Sequence, residues 1–383
     1  MRTSMIKSLT ATSIVSFASL SAGLNIIVSN DDGWGSANIR EFYKALNDAG
    51  HNAWIVAPVT QNSGKGGTTV FTSEANITSP VTFDTVPLGA PSFGTDPNDS
   101  HIWYYNGTPA AVTFFALDYV VPNFWNGTKP DILVAGPNEG GNTGPFFYTL
   151  SGTIGATYAA VERGIPAIAF SAADGTGRLY TEVNATAPGG SDPATITGKL
   201  GVKLVEQLAA NAKGGPLLPA GYGISVNYPY ITSLKNDSCV NPPFIQTRLT
   251  GGATIDKAVL NETTGIFDYA NASPDDGLNT CINGDCSLPG DTDIVKTCQT
   301  AVSVFTVDYD APNCQGSKPI RNLVQPLVGT ANGTGSGSNS SSGGPNTTYH
   351  GPTVVSANGA GRLGGFQVVV PVGILTLVAL LLV

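Results

Sequence analysis

The sequence predicts an α/β fold with a mostly parallel central sheet and hairpin excursions. Three observations carry this. Short apolar runs alternate with segments of helical periodicity, Gly or Pro closes several of them, and the first three runs form a strand–helix–strand unit. Ile26-Ile27-Val28 reads as a buried strand ending on Asn30-Asp31-Asp32-Gly33. Ser36 can cap a helix in which Ile39, Phe42, Tyr43 and Leu46 recur on one face, and Gly50 ends it. A second strand over residues 53–57 is closed by Pro58. Two strands joined by such a crossover helix are expected to run parallel.

The later elements follow the same signals. Residues 68–86 alternate in a Thr-rich pattern that reads as a hairpin excursion. Pro109 opens a helix through Tyr119, and residues 131–135 give a third core strand. Ser151-Gly152 opens a helix over 153–163, and a strand follows at 167–170. Residues 197–210 form a helix with Leu200, Leu204, Val205 and Leu208 inward, and 224–227 read as the last core strand. Beyond Ser233 the pattern gives way to cysteine-bearing loops, with one good strand at 302–307.

The two ends read as processing segments outside a domain spanning 24–328. In residues 1–23, Arg2 and Lys7 precede an apolar stretch over 9–20 and the small residues Ser21, Ala22 and Gly23, the order of a secretory signal peptide. Residues 329–358 are dominated by Gly, Ser, Asn and Thr, a composition that cannot bury a core and reads as a disordered, glycosylated stalk. Residues 359–383 carry a short spacer and an apolar tail from Val368 to Val383, shorter than the roughly 20 residues of a membrane span. That order reads as a removable GPI-anchor signal, with attachment at Asn358 or a small neighbour. Eleven N-x-[ST] sequons, among them Asn76, Asn98, Asn106, Asn126 and Asn261, point to the same compartment. The expected location is the outer face of the plasma membrane or the cell wall.

Charged residues make up 12% of the chain and the net charge is −9, which argues against a nucleic-acid polymer as partner. Cys239, Cys281, Cys286, Cys298 and Cys314 form no CxxC pair and have no nearby His, so disulfides are expected rather than zinc. The odd count leaves one thiol free or paired with another chain. His51 and His101 stand in no nucleophilic motif and read as structural residues, which argues against a Ser-His-Asp hydrolase.

In open α/β sheets ligands bind at the carboxyl ends of the strands. Three polar clusters follow strands here: Asn30-Asp31-Asp32-Gly33, Gln61-Asn62-Ser63-Gly64, and the run from Gly136 to Asn142. If their strands are neighbours, carboxylates, a hydroxyl and an amide oxygen converge. These are hard oxygen ligands suited to one Mg²⁺ or Mn²⁺. Ser151-Gly152-Thr153 stands at a helix start, where free N–H groups and the helix dipole favour an anion.

Residues 25–33, Asn-Ile-Ile-Val-Ser-Asn-Asp-Asp-Gly, resemble the opening strand and metal loop of the SurE family of nucleotidases and phosphatases. Ala57-Pro58 through Gly64, Asn106-Gly107-Thr108-Pro109, residues 130–144, Tyr148 to Thr153, and Ser225-Val226-Asn227-Tyr228-Pro229 are similar to its later motifs in the same order. The resemblance covers residues 24–230. It implies a Rossmann-like three-layer fold, with metal ligands Asp31, Asp32, Ser63 and Asn138 and phosphate contacts from Asn142, Ser151, Gly152 and Thr153. Asp31 and Asp32 are the implied catalytic pair: one, by preference Asp31, orients or deprotonates a water or itself attacks phosphorus.

The implied activity is metal-dependent phosphomonoester hydrolysis, as an acid phosphatase or a nucleotidase acting on nucleoside monophosphates. A homodimer is a possible arrangement. The competing expectation is a non-catalytic, GPI-anchored surface glycoprotein on the same scaffold. The family's Gly-Ile-Asn-Ala-Gly loop is here Gly136-Pro137-Asn138-Glu139-Gly140, and Glu139 reads as a solvated loop charge.

Overall fold

The structure is a computed structural model that describes residues 23–174, 177–183, 192–231, 239–251, 255–272 and 279–311, with 320, 323, 324 and 327 beyond them. Residues 1–22 of the expected signal peptide, the stalk, the anchor segment, Cys314, and the sequons at Asn184, Asn236, Asn332, Asn339 and Asn346 lie outside the described residues. The chain falls into two units, Met1–Ile320 and Arg321–Val383, and every element named below belongs to the first.

The strands, in chain order, are β1 (Asn25–Ser29), β2 (Asn52–Pro58), β3 (Phe93–Asp96), β4 (Asp99–Tyr105), β5 (Ile132–Asn138) and β6 (Ala167–Ser171). They continue with β7 (Tyr222–Asn227), β8 (Phe244–Thr247), β9 (Ile255–Asn261), β10 (Ile266–Ala272) and β11 (Thr300–Thr306). The helices are α1 (Ala37–Asp48), α2 (Pro109–Phe115), α3 (Val121–Phe124), α4 (Gly144–Leu150), α5 (Gly152–Glu162), α6 (Pro193–Ala212) and α7 (Asp291–Ile294).

Among the described residues, nine strands form one sheet in the order β3-β4-β2-β1-β5-β6-β7-β11-β8, and β9 with β10 makes a separate antiparallel pair. The pairs from β4 through β7 are all parallel; crossover helices join β1 to β2, β5 to β6 and β6 to β7. The alternation of side chains across β1 builds the layers. Ile26 and Val28 join a core with Ile39 and Phe42 of α1 and Leu200 and Val205 of α6. Ile27, between them, joins the opposite core with Ala111 and Val112 of α2 and Ala156 and Ala160 of α5. The result is the expected three-layer α/β arrangement. Gly198 and Gly201 let α6 lie close on α1: a Cβ at Gly201 would stand 2.8 Å from the Phe42 ring.

Several element expectations change. The Thr-rich 68–86 segment is not a hairpin; its described ladder contacts are isolated bridges at Phe71 and Asn76. The hairpin is β3–β4, turned at Pro97-Asn98, and its second strand adds to the parallel sheet beside β2. The helix from Pro109 closes its regular part at Phe115 and runs through a wider π turn, Ala116–Val120, into α3. α6 starts earlier than expected, because Asp192 caps it by accepting from Ala194 N and Pro193 fits its first turn. β7 is not the last strand of the sheet: β11 returns antiparallel beside it and carries β8 on its far side.

Cys239–Cys298 and Cys281–Cys286 are disulfides. His51 Nδ1 accepts from Leu24 N at 3.2 Å, and His101 stacks on Trp54 at 4.3 Å. Both have packing roles. Among the described residues no helix is long and apolar enough to cross a membrane.

Candidate active site

β1, β2 and β5 are neighbours, so their carboxyl-end loops meet, as the clusters require. A cavity of about 300 Å³ lies there, lined by Asp31, Asp32, Ser63, Asn138, Asn142 and Ser151 together with Gln61, Glu139 and an apolar side formed by Phe147 and Leu150.

The loop after β1 is shaped by Asn30. Its Nδ2 donates to Gly33 O at 2.9 Å and Ser36 Oγ at 3.2 Å, while Gly33 N donates back to its Oδ1 at 3.3 Å. This folds the chain over at Gly33 (φ +105°) and leaves Asp31 and Asp32 buried at the strand end. The loop after β2 is pinned to it: Asn62 N donates to Asp31 O at 2.6 Å. Gln61 then clamps Ser63, donating from Nε2 to Ser63 Oγ and accepting from Ser63 N, both at 2.6 Å. From the loop after β5, Glu139 N donates to Asp32 Oδ2 at 3.1 Å. Asn142 N donates to Asn227 Oδ1 at 2.7 Å and Asn142 Nδ2 to Ser171 Oγ at 2.8 Å, so β6 and β7 hold this loop from beneath.

The start of α5 completes the cavity wall. Ser151 caps the helix, its Oγ accepting from Ile154 N at 3.3 Å. Thr153 Oγ1 donates to Asp31 Oδ1 at 2.5 Å, and the backbone N–H groups of Thr153 and Gly152 also hydrogen-bond this carboxyl group. α5 therefore presents its dipole and free donors to Asp31 first. The fit at Gly152 is close. A Cβ there would lie 2.8 Å from Asp31 Cβ and 3.0 Å from Asn62 O.

The electrostatics favour a cation. Burial raises the pKa of Asp31 against the pull of its hydrogen bonds. Burial, then the charges of Asp31 and Glu139, push Asp32 well above the usual carboxylate range. Glu139 is pushed up to about 7, by burial first and then by Asp174 and Asp31. It is half-buried and faces the carboxylate pair, so the solvated-charge reading fails. Sequence reasoning named the residue but could not see that β5 delivers its side chain into the cleft. Gln61 is likewise only a loop residue in the sequence; its clamp on Ser63 depends on a turn that no pattern announces.

The oxygens fit a hard divalent ion. Asp32 Oδ1 and Asn138 Oδ1 are buried without a hydrogen-bond donor, a costly state unless a cation meets them. Among the described residues no group of three or more His, Cys, Asp or Glu forms a metal cluster. The donor set is instead carboxylate, amide and hydroxyl oxygen, which suits Mg²⁺ or Mn²⁺.

One anchor of the cavity comes from beyond residue 230. Asp291, fully buried at the start of α7, accepts from Gly144 N at 3.2 Å and Thr292 N at 2.6 Å. Burial pushes its pKa up to about 7. A folded state that raises a carboxyl pKa binds the proton more tightly than the unfolded chain. This contribution is therefore fully present below the ordinary value of 3.8 and is lost as pH rises through about 7. Asp291→Asn keeps an acceptor oxygen without the charge. The variant is expected to melt higher than the unaltered protein at pH 8, with the gap closing towards pH 4. Each kcal/mol corresponds to about 2–4 °C, and paired melting curves at the two pH values test the sign.

The sequence profile described as "Survival protein SurE" matches residues 26–250. The chain is 46% identical over 294 residues to a protein named acid phosphatase from Yarrowia lipolytica, spanning 75% of this chain and 80% of that one. It is 34% identical over 149 residues to the 5'-nucleotidase SurE of Desulfovibrio desulfuricans, 39% of this chain and 49% of that protein. The crystal structure of the SurE protein from Aquifex aeolicus has the same fold, with a TM-score of 0.51 at 23% identity over 78% of this chain and 98% of that one. The profile match over more than half of the length and the long Yarrowia alignment agree with the ordered motifs and the cleft they build, and the chain belongs to the SurE family.

Proposed function

We propose that this protein is a metal-dependent phosphoric monoester hydrolase that releases phosphate from nucleoside monophosphates and other small phosphate esters outside the cell. Its relatives named acid phosphatase and 5'-nucleotidase SurE support the reaction class. The observation that carries the reading is the pair of buried oxygens without donors, Asp32 Oδ1 and Asn138 Oδ1, beside Asp31 in a polar cleft.

Asp31, Asp32, Ser63 and Asn138 would hold the metal ion. When bound, a divalent ion supplies positive charge at the phosphoryl oxygens and acidifies a water. The remaining work falls to the chain. Asn142, Ser151, Gly152 and Thr153 would receive the phosphoryl group where the α5 dipole favours negative charge. Thr153 fixes the rotamer of Asp31, which takes the proton of the attacking water. Phe147 and Leu150 shield the ester from bulk solvent on the apolar side of the cavity.

Export is supported by two disulfides and by exposed sequons at Asn76, Asn98, Asn126 and Asn261. Removal of the 359–383 segment, with a GPI anchor attached at Asn358 or a small neighbour, belongs to the same proposal. The test is phosphate release from AMP, other nucleoside monophosphates and p-nitrophenyl phosphate, with Mn²⁺ or Mg²⁺ and with EDTA. Release that EDTA abolishes and metal restores is expected. Folded protein that releases none under any of these conditions overturns the reading in favour of a non-catalytic surface glycoprotein.

A further inference from the structure

Outside the cleft lining, the outer face of α2, α3 and the hairpin carries a shelf of rings. Phe93, Tyr119 and Phe124 are 41%, 37% and 42% exposed. Phe93 meets Tyr119 edge to face at 5.5 Å, as Tyr119 meets Phe124 at 6.0 Å, and Phe124 lies tilted against Trp103 at 4.6 Å. Stacking against Phe115 at 5.2 Å fixes Tyr119. Rings packed this way are rigid, so covering them costs little side-chain entropy.

The chain supplies a candidate to cover them two residues past Phe124. Asn126-Gly127-Thr128 is a sequon on a tight turn in which Thr128 N donates to Trp125 O at 2.9 Å. The central residues take φ +50° and +79°, the type I′ geometry that Asn-Gly favours. Trp125 is buried against Trp54 at 5.5 Å and anchors the turn, while Asn126 and Thr128 are exposed. Among the described sequons Asn126 alone lies at positive φ. Asn106 is half-buried, and Asn261 uses its Oδ1 to accept from Thr263 N and Thr264 N.

We propose that Asn126 is an N-glycosylation site whose first sugar lies over the Phe124 ring and closes this shelf. The inference rests on the export part of the proposed function and is independent of the catalytic part. Transfer from a lipid-diphosphate-linked oligosaccharide forms the bond between Asn126 Nδ2 and sugar C1. It breaks the C1–O bond to the lipid diphosphate, which leaves with the electron pair, and one amide proton passes to solvent. The C–H face of a pyranose meets the π face of Phe124, and its hydroxyls remain in water. A glycan here covers apolar surface that would otherwise favour association.

The experiment uses the full chain secreted from a eukaryotic host that N-glycosylates its exports. Glycopeptide mass spectrometry is expected to find Asn126 occupied. An endoglycosidase that leaves one sugar at each site is then applied to the unaltered protein and to Thr128→Ala, which loses the sequon but keeps the turn residues Asn126 and Gly127. Thr128→Ala is expected to melt about 2–4 °C lower. In a Phe124→Ala background the same substitution is expected to make no difference, because the ring that holds the sugar is gone.

Asn126 found bare while Asn76 or Asn98 is occupied overturns the proposal. So does equal melting with and without the sequon, or an equal loss in both backgrounds. A glycosylated protein that dimerises through Phe93 and Phe124 also overturns it, since a second copy would then fill the shelf. Failure of secretion would instead remove the export reading, and intracellular material with intact phosphate release would mark that case.

Discussion

Asp31→Asn is expected to lower phosphate release by about 10³-fold while the protein melts at or above the temperature of the unaltered chain. The two effects have one cause. Asp31 is buried between the start of α5 and the loop after β2, where burial opposes its charge. An amide keeps an oxygen to accept from Thr153 Oγ1, so the local hydrogen bonds survive. What it loses is the negative charge that would bind a metal ion and the basicity that would take a proton from water. Initial rates at saturating Mn²⁺ and metal-free melting curves measure both quantities. Retained turnover would remove Asp31 from the chemistry. Lost turnover with a collapsed melting transition would make it a folding residue instead.

Gly152→Ala is the second large effect, a fall in kcat of about 10²-fold from one methyl group. The new Cβ would fall 2.8 Å from Asp31 Cβ, 3.0 Å from Asp31 Oδ2 and 3.0 Å from Asn62 O. None of these can simply swing away. The Asp31 carboxyl is fastened to Thr153, and its carbonyl accepts from Asn62 N at 2.6 Å. The start of α5 must therefore lift away from the loops it touches. Overpacking of this kind costs about 1–3 kcal/mol of stability, which a melting curve will show. The larger effect is on rate, because the phosphate side and the metal side of the cavity shift relative to each other. A kcat within a few-fold of the unaltered enzyme would mean that the two sides tolerate such a shift.

The central sheet and most of the cleft were legible in the sequence for a definite reason. Ile26-Ile27-Val28 and Ile132 to Ala135 are buried on both faces, so they appear as unbroken apolar runs, and the polar clusters that follow them can lie only at strand ends. The Ser151 cap was legible because capping is a local matter of one hydroxyl and the N–H three residues on. The errors have the opposite character. Thr68 to Val86 has strand-like alternation but makes only isolated bridges, whereas Phe93–Tyr105 pairs through a Pro97-Asn98 turn whose signal was present and unread. Asp192-Pro193 was an equally readable helix start. Glu139 and Asp291 were not readable, because what acts on them comes from 35 and 147 residues away, the charge of Asp174 and the N–H of Gly144 respectively.

Asp291 also bears on where this protein can be cut. The family profile ends at residue 250, yet the oxygen that accepts from Gly144 N, two residues past Asn142, belongs to residue 291. β11, which bonds along the full length of β7, comes later still. A chain trimmed at residue 250 would leave β7 as a bare edge and untie the loop that carries Asn138 and Asn142. Family profile and folding unit have different boundaries here, and the segment beyond the profile is structural support for the cleft.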